Sequence, residues 1–316
     1  MPEVRPDPAD EAMVRRARDR FRSSRARRVT GRKHDAALPT VIVIGGLKCG
    51  TTSIHHYLNL HPQVRMSRPK ELNFFVAELN WPLGAEWYAG HFTSTVPVRG
   101  ESSPHYTNLP RFTGVAERMR SLVPAAKLIY MVRHPVDRAL SHYLHNVAGG
   151  YETRPLEVAL GEPETAYVDR GLYAMQLDEY RQRFPAERIA LVTQDELKHR
   201  REETMRRVFR FLEVDESFSS PQFSREWETG TGKRSGRFRL MDRAVRLPGL
   251  RALDRNFDRL PESLRWLVER MVHDPETAAA ARPSLPEPVR ERLADRFRPD
   301  VERLEPMTGR EFGWEL

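Results

Sequence analysis

The chain has 316 residues, and Lys+Arg 52 against Asp+Glu 44 leaves a formal charge of +8, which suits an anionic ligand. The basic residues are spread along the chain, without aromatic-interleaved repeats or zinc-finger spacing, which argues against a nucleic-acid binder. One cysteine, Cys49, excludes an intrachain disulfide framework and most cysteine-rich metal sites; no apolar run nears the roughly 20 residues of a membrane span, so a cytoplasmic location is expected.

Residues 1–38 are rich in arginine and poor in large apolar side chains, with Pro2, Pro6 and Pro8 near the start, and are expected to form a disordered or partly helical basic arm. One catalytic domain is expected over 39–316. It opens on TVIVIGGLKCGTT, Thr40 to Thr52. Val41 to Ile44 are consecutive and β-branched, as in a central parallel strand. Gly45, Gly46 and Gly50 let the backbone turn and aim N–H groups at an anion. Thr51, Thr52 and Ser53 open a helix whose positive end faces the turn, and Lys48 adds a cation. A nucleotide triphosphatase loop needs its lysine directly after the last glycine, where this chain has Thr51. The plainer alternative is a glycine-rich turn with a solvated lysine.

Pro62 stops the helix. Arg68 to Phe75, RPKELNFF, sets a carboxylate, Glu71, before two aromatics. Burial beside Phe74 and Phe75 would raise its pKa, and Lys70 or Lys48 would lower it; the rival is an ordinary surface glutamate. Trp81, Trp87, Tyr88 and Phe92 suggest a helix that lines a pocket or fills the core. Val96 to Glu101 reads as an edge strand followed by Ser102-Ser103-Pro104-His105-Tyr106, at the strand end where α/β proteins place ligands. A lone histidine such as His105 is more often structural than catalytic.

Lys127 to Val132 reads as a second buried strand. It ends in Arg133, a phosphate-binding fork, where a Walker B strand would carry an acidic magnesium ligand. Pro135 suits a first helical position, and Ser141 lies about two turns beyond Arg133. Two phosphate sites with no metal site between them favour a ligand phosphorylated at two ends over ATP hydrolysis. A helix from Gly171 to Pro185, a strand over Ile189–Val192 and a helix over Thr204–Leu212 continue the alternation of a parallel α/β sheet flanked by helices, a P-loop-like three-layer fold. Residues 219–240 read as a mobile basic lid in which Lys233, Arg234 and Arg237 close over an anion. The end, from Glu287 through Trp314, reads as two short helices and an aromatic tail.

With these motifs in place the chain resembles the sulfotransferases that use 3′-phosphoadenosine 5′-phosphosulfate (PAPS), most closely heparan-sulfate-type and bacterial members, over roughly residues 40–316. Gly46-Leu47-Lys48-Cys49-Gly50-Thr51-Thr52 is similar to the family's 5′-phosphosulfate loop, and Arg133 and Ser141, within RHPVDRALSHYLH, are similar to its 3′-phosphate pair. Pro69 to Phe75 is similar to the segment carrying the glutamate base, here Glu71. The resemblance implies transfer of a sulfuryl group from PAPS, with no metal required, to a hydroxyl or amine of a carbohydrate, glycolipid or natural product. Lys48 would stabilise the leaving group, and His105 is the second candidate base. One departure stands out: heparan-type enzymes carry a lysine in a Glu-Lys-Thr-Pro segment, and this chain has Glu101-Ser102-Ser103-Pro104. A P-loop nucleotide kinase or NTPase and a non-catalytic adenine-nucleotide-binding protein are the alternatives.

Overall fold

The structure is a computed structural model that describes residues 7–23, 37–92, 95–162, 165–224 and 284–316. Five parallel strands form one sheet: β1 (Val41–Gly45), β2 (Val64–Met66), β3 (Val98–Ser102), β4 (Lys127–Val132) and β5 (Ile189–Thr193), in the order β2-β3-β1-β4-β5. Helices flank it: α1 (Pro8–Ser23), α2 (Thr51–Leu60), α3 (Gly84–Ala89), α4 (Val115–Leu122), α5 (Pro135–Gly149), α6 (Leu156–Gly161), α7 (Ala166–Asp169), α8 (Tyr173–Arg181), α9 (Gln194–His199), α10 (Arg201–Leu212) and α11 (Glu287–Thr308). This is the P-loop-like layered fold expected from the alternation.

The central strand β1 is buried along its whole length, as a strand covered on both faces must be. Its neighbour β3 was expected at the edge, yet it pairs with β2 as well as β1 and is interior. The edge is β2, three residues too short for a periodic signal. Gly100 permits the β1–β3 approach: a Cβ there would stand 2.5 Å from the Val41 carbonyl oxygen. A second apolar cluster, with Val136, Tyr167, Leu293 and Phe297, lies where α5, α6, α7 and α11 meet.

One expectation is corrected and another is narrowed. The C-terminal pair of short helices is one helix, α11, continuous through Pro299 and Pro306. Apolar burial at Phe297, Val301 and Leu304 holds it on the domain despite the missing N–H groups. Of the two states expected for the arm, disordered or partly helical, residues 8–23 take the helical one, as α1. Asp7 caps it by accepting from the Ala9 N–H at 2.9 Å, Pro8 occupies the first turn, and Val14 and Ala17 are buried in the main core. The dense arginines masked this spacing of small apolar residues.

Candidate active site

A cavity of about 400 Å³ opens where β1, β3 and β4 end. Lys48, Gly50, Thr51 and Thr52 line it from the turn after β1, Glu71 and His105 from the segments beside β3, and Arg133 and Ser141 from the end of β4 and from α5. Residues far apart in sequence are thus brought to one space, because parallel strands deliver their C-terminal loops to the same side of the sheet.

The turn points its functional groups forward and uses others to hold its shape. The α2 N-terminus carries no side-chain cap, so its first N–H groups remain for a ligand. Gly46 and Cys49 do not line the cavity. The Gly46 N–H donates to the Met131 carbonyl at 2.6 Å, and the Cys49 N–H donates to the Gly46 carbonyl at 3.2 Å. The Cys49 thiol is fully buried, 3.6 Å from the Tyr173 hydroxyl, and burial pushes its pKa up. Expected as ligand contacts, these two residues brace the turn from behind because their donors are already used, that of Gly46 on β4 and that of Cys49 within the turn.

Lys48 and Glu71 both sit in the left-handed region, at φ 67 and 65, a conformation side chains disfavour and functional sites often retain. Glu71 is fixed by its own N–H, which donates to the Ser102 carbonyl at 3.1 Å. Of the two influences weighed for Glu71, the lysine prevails over burial: the Phe74 and Phe75 rings pack into the core, while the Glu71 side chain is 42% exposed and 2.5 Å from the Lys70 ammonium. Partial burial acts to raise its pKa, but Lys70 first and then His105 outweigh it, so the carboxylate is held below its ordinary value.

Beneath these residues lies a buried polar frame. Glu101, with no exposure, accepts from the Tyr88 hydroxyl at 2.7 Å, from the Tyr106 hydroxyl at 2.6 Å and from the Ser103 hydroxyl at 2.6 Å. Burial raises its pKa against the pull of those hydroxyls. Ser102, at the family's lysine position, is equally buried, and its Oγ lies 2.9 Å from His55 Nδ1. Burial and then the charge of Lys70 push His55 down to about 3, so the ring is neutral. Both groups fasten the segment that carries Glu71 and His105. Trp81, Trp87 and Tyr88 join an aromatic cluster around Phe74 and are not among the cavity-lining residues.

Arg133 is set by Tyr173, whose hydroxyl donates to the Arg133 carbonyl at 2.8 Å and accepts from its N–H at 3.3 Å. Its guanidinium reaches back to the Lys48 carbonyl at 3.5 Å. Lys233 and Arg234, with Arg237 and most of the expected lid over 219–240, lie outside the described residues.

Sequence reasoning missed the contribution of α1. Asp7 and Asp10 line the cavity and are almost fully buried. Asp10 accepts from Arg170 Nη2 at 2.6 and 2.7 Å and from Asn108 Nδ2 at 2.8 Å, and its carboxylate stands 3.4 Å from His105 Nδ1. Asp7 meets His142 Nε2 at 2.7 Å and Asn146 Nδ2 at 3.0 Å. Burial opposes the ionisation of both acids, yet Arg170 for Asp10 and His142 for Asp7 outweigh it and keep them ionised. The available signal was Asp7-Pro8 followed by acidic Asp10 and Glu11, a helix-start pattern hidden among prolines that had suggested disorder.

A model of the sulfotransferase family matches residues 76–218. The chain is 27% identical over 252 residues to the bifunctional heparan sulfate N-deacetylase/N-sulfotransferase 1 of Caenorhabditis elegans, covering 74% of this chain and 28% of that protein. It is 40% identical over 111 residues to the membrane-associated sulfotransferase kil1 of Dictyostelium discoideum, 34% of this chain and 22% of that one. The chain therefore spans well under half the length of these curated relatives. Among solved structures, a sulfotransferase from Alicyclobacillus acidocaldarius is 25% identical with a TM-score of 0.60, covering 87% of this chain and 98% of its own. The expected cytoplasmic location is overturned by these relatives, one of which is named for membrane association. No helix among the described residues is long and apolar enough to cross a membrane, and that fact assigns no compartment. The matched segment, these relatives and the shared fold bear out the resemblance to the sulfotransferase family that the sequence motifs carry.

Proposed function

We propose that the protein transfers the sulfuryl group of PAPS to a hydroxyl or amine of its acceptor. The observation that carries this reading is the meeting in one cavity of the Lys48–Thr52 turn, the Arg133 and Ser141 pair and the ionised Glu71. The uncapped start of α2 fits a phosphosulfate: its N–H groups and the Thr51 and Thr52 hydroxyls supply donors, and Lys48 supplies charge. Arg133 and Ser141 would take the 3′-phosphate and fix the line of attack.

In the reaction, a lone pair of the acceptor oxygen or nitrogen forms the new bond to sulfur as the bond from sulfur to the 5′-phosphate oxygen breaks. The departing oxygen keeps the electron pair, and the acceptor proton passes to Glu71. Charge grows on that departing oxygen, so Lys48 stabilises the transition state more than the bound donor. The surroundings of His105 favour Glu71 as base. Arg170 Nη2 lies 3.3 Å from His105 Nδ1, and a guanidinium only donates. The Asp10 carboxylate stands 3.4 Å from the same Nδ1, so this ring is engaged with the buried Asp10–Arg170 pair, whereas Glu71 presents a more exposed, ionised carboxylate. A glycan acceptor is supported by the relative named for heparan sulfate.

Calorimetric titration with adenosine 3′,5′-bisphosphate, beside ATP with magnesium, tests the reading. The bisphosphate should bind preferentially, and Arg133→Ala should weaken it about 10- to 100-fold, the loss of a charge-assisted hydrogen bond. Preference for ATP, or indifference to Arg133, would return the turn to a kinase-like or purely binding role.

A further inference from the structure

The position of α1 bears on which acceptors reach Glu71, an inference that rests on the transfer reading above. From its N-terminal end the helix crosses the cavity. Asp7 is anchored on α5 through His142 and Asn146, and Asp10 is anchored on Arg170 and Asn108 beside His105. Met13 Sδ lies 3.9 Å from Asn73 Nδ2, two residues past Glu71. The helix therefore bridges the wall that carries Ser141 and the wall that carries Glu71. Asp7, Ala9, Asp10, Met13 and Arg16 line the cavity along this span.

This roof is a standing part of the domain. Val14 and Ala17 are 3% and 4% exposed and belong to the main core, and the Asp10–Arg170 pair is buried on both sides. Lifting the helix would strand two buried carboxylates and the Arg170 guanidinium, a large cost. The space beneath, about 400 Å³ among the described residues, is at the low end of small-ligand pockets and must serve donor and acceptor together. A polymer acted on at an internal unit has to leave the site in two directions, and α1 obstructs passage between the two walls.

We propose that α1 is the specificity element of the acceptor site and restricts the enzyme to small molecules or chain ends, excluding internal units of a polysaccharide. The test uses the full-length protein with labelled PAPS, a panel of simple phenols, amines and monosaccharide glycosides, and an unsulfated heparan-type polysaccharide whose products are digested to locate the label. Label on small acceptors or chain termini only is the expected result, and label on internal units at a comparable rate overturns the proposal. Ala9→Trp and Met13→Trp, which narrow the roof from two positions, should raise the KM of a small acceptor about tenfold or more. Both should leave the calorimetric Kd for adenosine 3′,5′-bisphosphate within twofold. An unchanged acceptor KM in both variants also overturns the proposal. Failure of the parent protein to bind the bisphosphate is a different result, which removes the transfer reading itself.

Discussion

Removing the Asp10 carboxylate tests whether the N-terminal helix belongs to the domain. In the native protein Arg170 is 1% exposed, its Nη2 is shared between the two Asp10 oxygens at 2.6 and 2.7 Å, and its Nε and Nη1 have no hydrogen-bond partner among the described residues. Asp10→Ala leaves that guanidinium buried with only the His105 contact, and breaking one side of a buried pair typically costs about 3–5 kcal/mol. The double replacement Asp10→Leu with Arg170→Met strands no charge and should cost markedly less. Urea unfolding followed by circular dichroism measures both, and limited trypsin digestion reports whether Arg15, Arg16 and Arg18 become cleavable once α1 is released. The pH dependence has a definite sign. Burial opposes Asp10 ionisation, but Arg170 and His105 lower its pKa below the ordinary 3.8, so its contribution is present above that value and lost as pH falls below it. Asp10→Ala should flatten that acid loss. A variant within about 0.5 kcal/mol of the parent, with α1 still protected from trypsin, would refute the account of the ion pair as the anchor of the helix.

Three further outcomes are expected. Glu71→Gln should lower kcat by about 10²- to 10⁴-fold with donor affinity retained, whereas His105→Ala should chiefly raise the acceptor KM; steady-state kinetics on a small acceptor separates them, and the reverse pattern would make His105 the base. Lys70→Ala removes the main influence holding Glu71 below its ordinary pKa, so the acid limb of the kcat/KM profile should move to higher pH, and an unmoved limb would show that another group titrates there. Gly100→Ala places a methyl 2.4 Å from Val41 Cγ1 and 2.5 Å from its carbonyl oxygen, and overpacking of this kind costs about 1–3 kcal/mol, measurable as a lower unfolding midpoint.

Much of this molecule could be read along the chain because the signals were local. The β-branched run before Gly45, the uncapped helix start at Thr51 and the arginine ending β4 each express strand or anion-site chemistry within a few residues. Sequence order also predicted a parallel sheet, since strands alternating with helices return to the same edge. What the tertiary structure alone decided depends on pairings between distant segments. Which strand forms the edge follows from β3 pairing on both sides, a fact carried by a short β2 and by the absent side chain of Gly100. Whether Glu71 is buried or paired follows from where Phe74 and Phe75 turn, because side chains of adjacent residues diverge once the backbone leaves a regular element. The acidic roof over the cavity joins Asp7 and Asp10 to His142 and Arg170, up to 160 residues away. Composition averaged over an arginine-rich arm conceals two carboxylates whose role is set by the buried imidazole and guanidinium they meet only after folding.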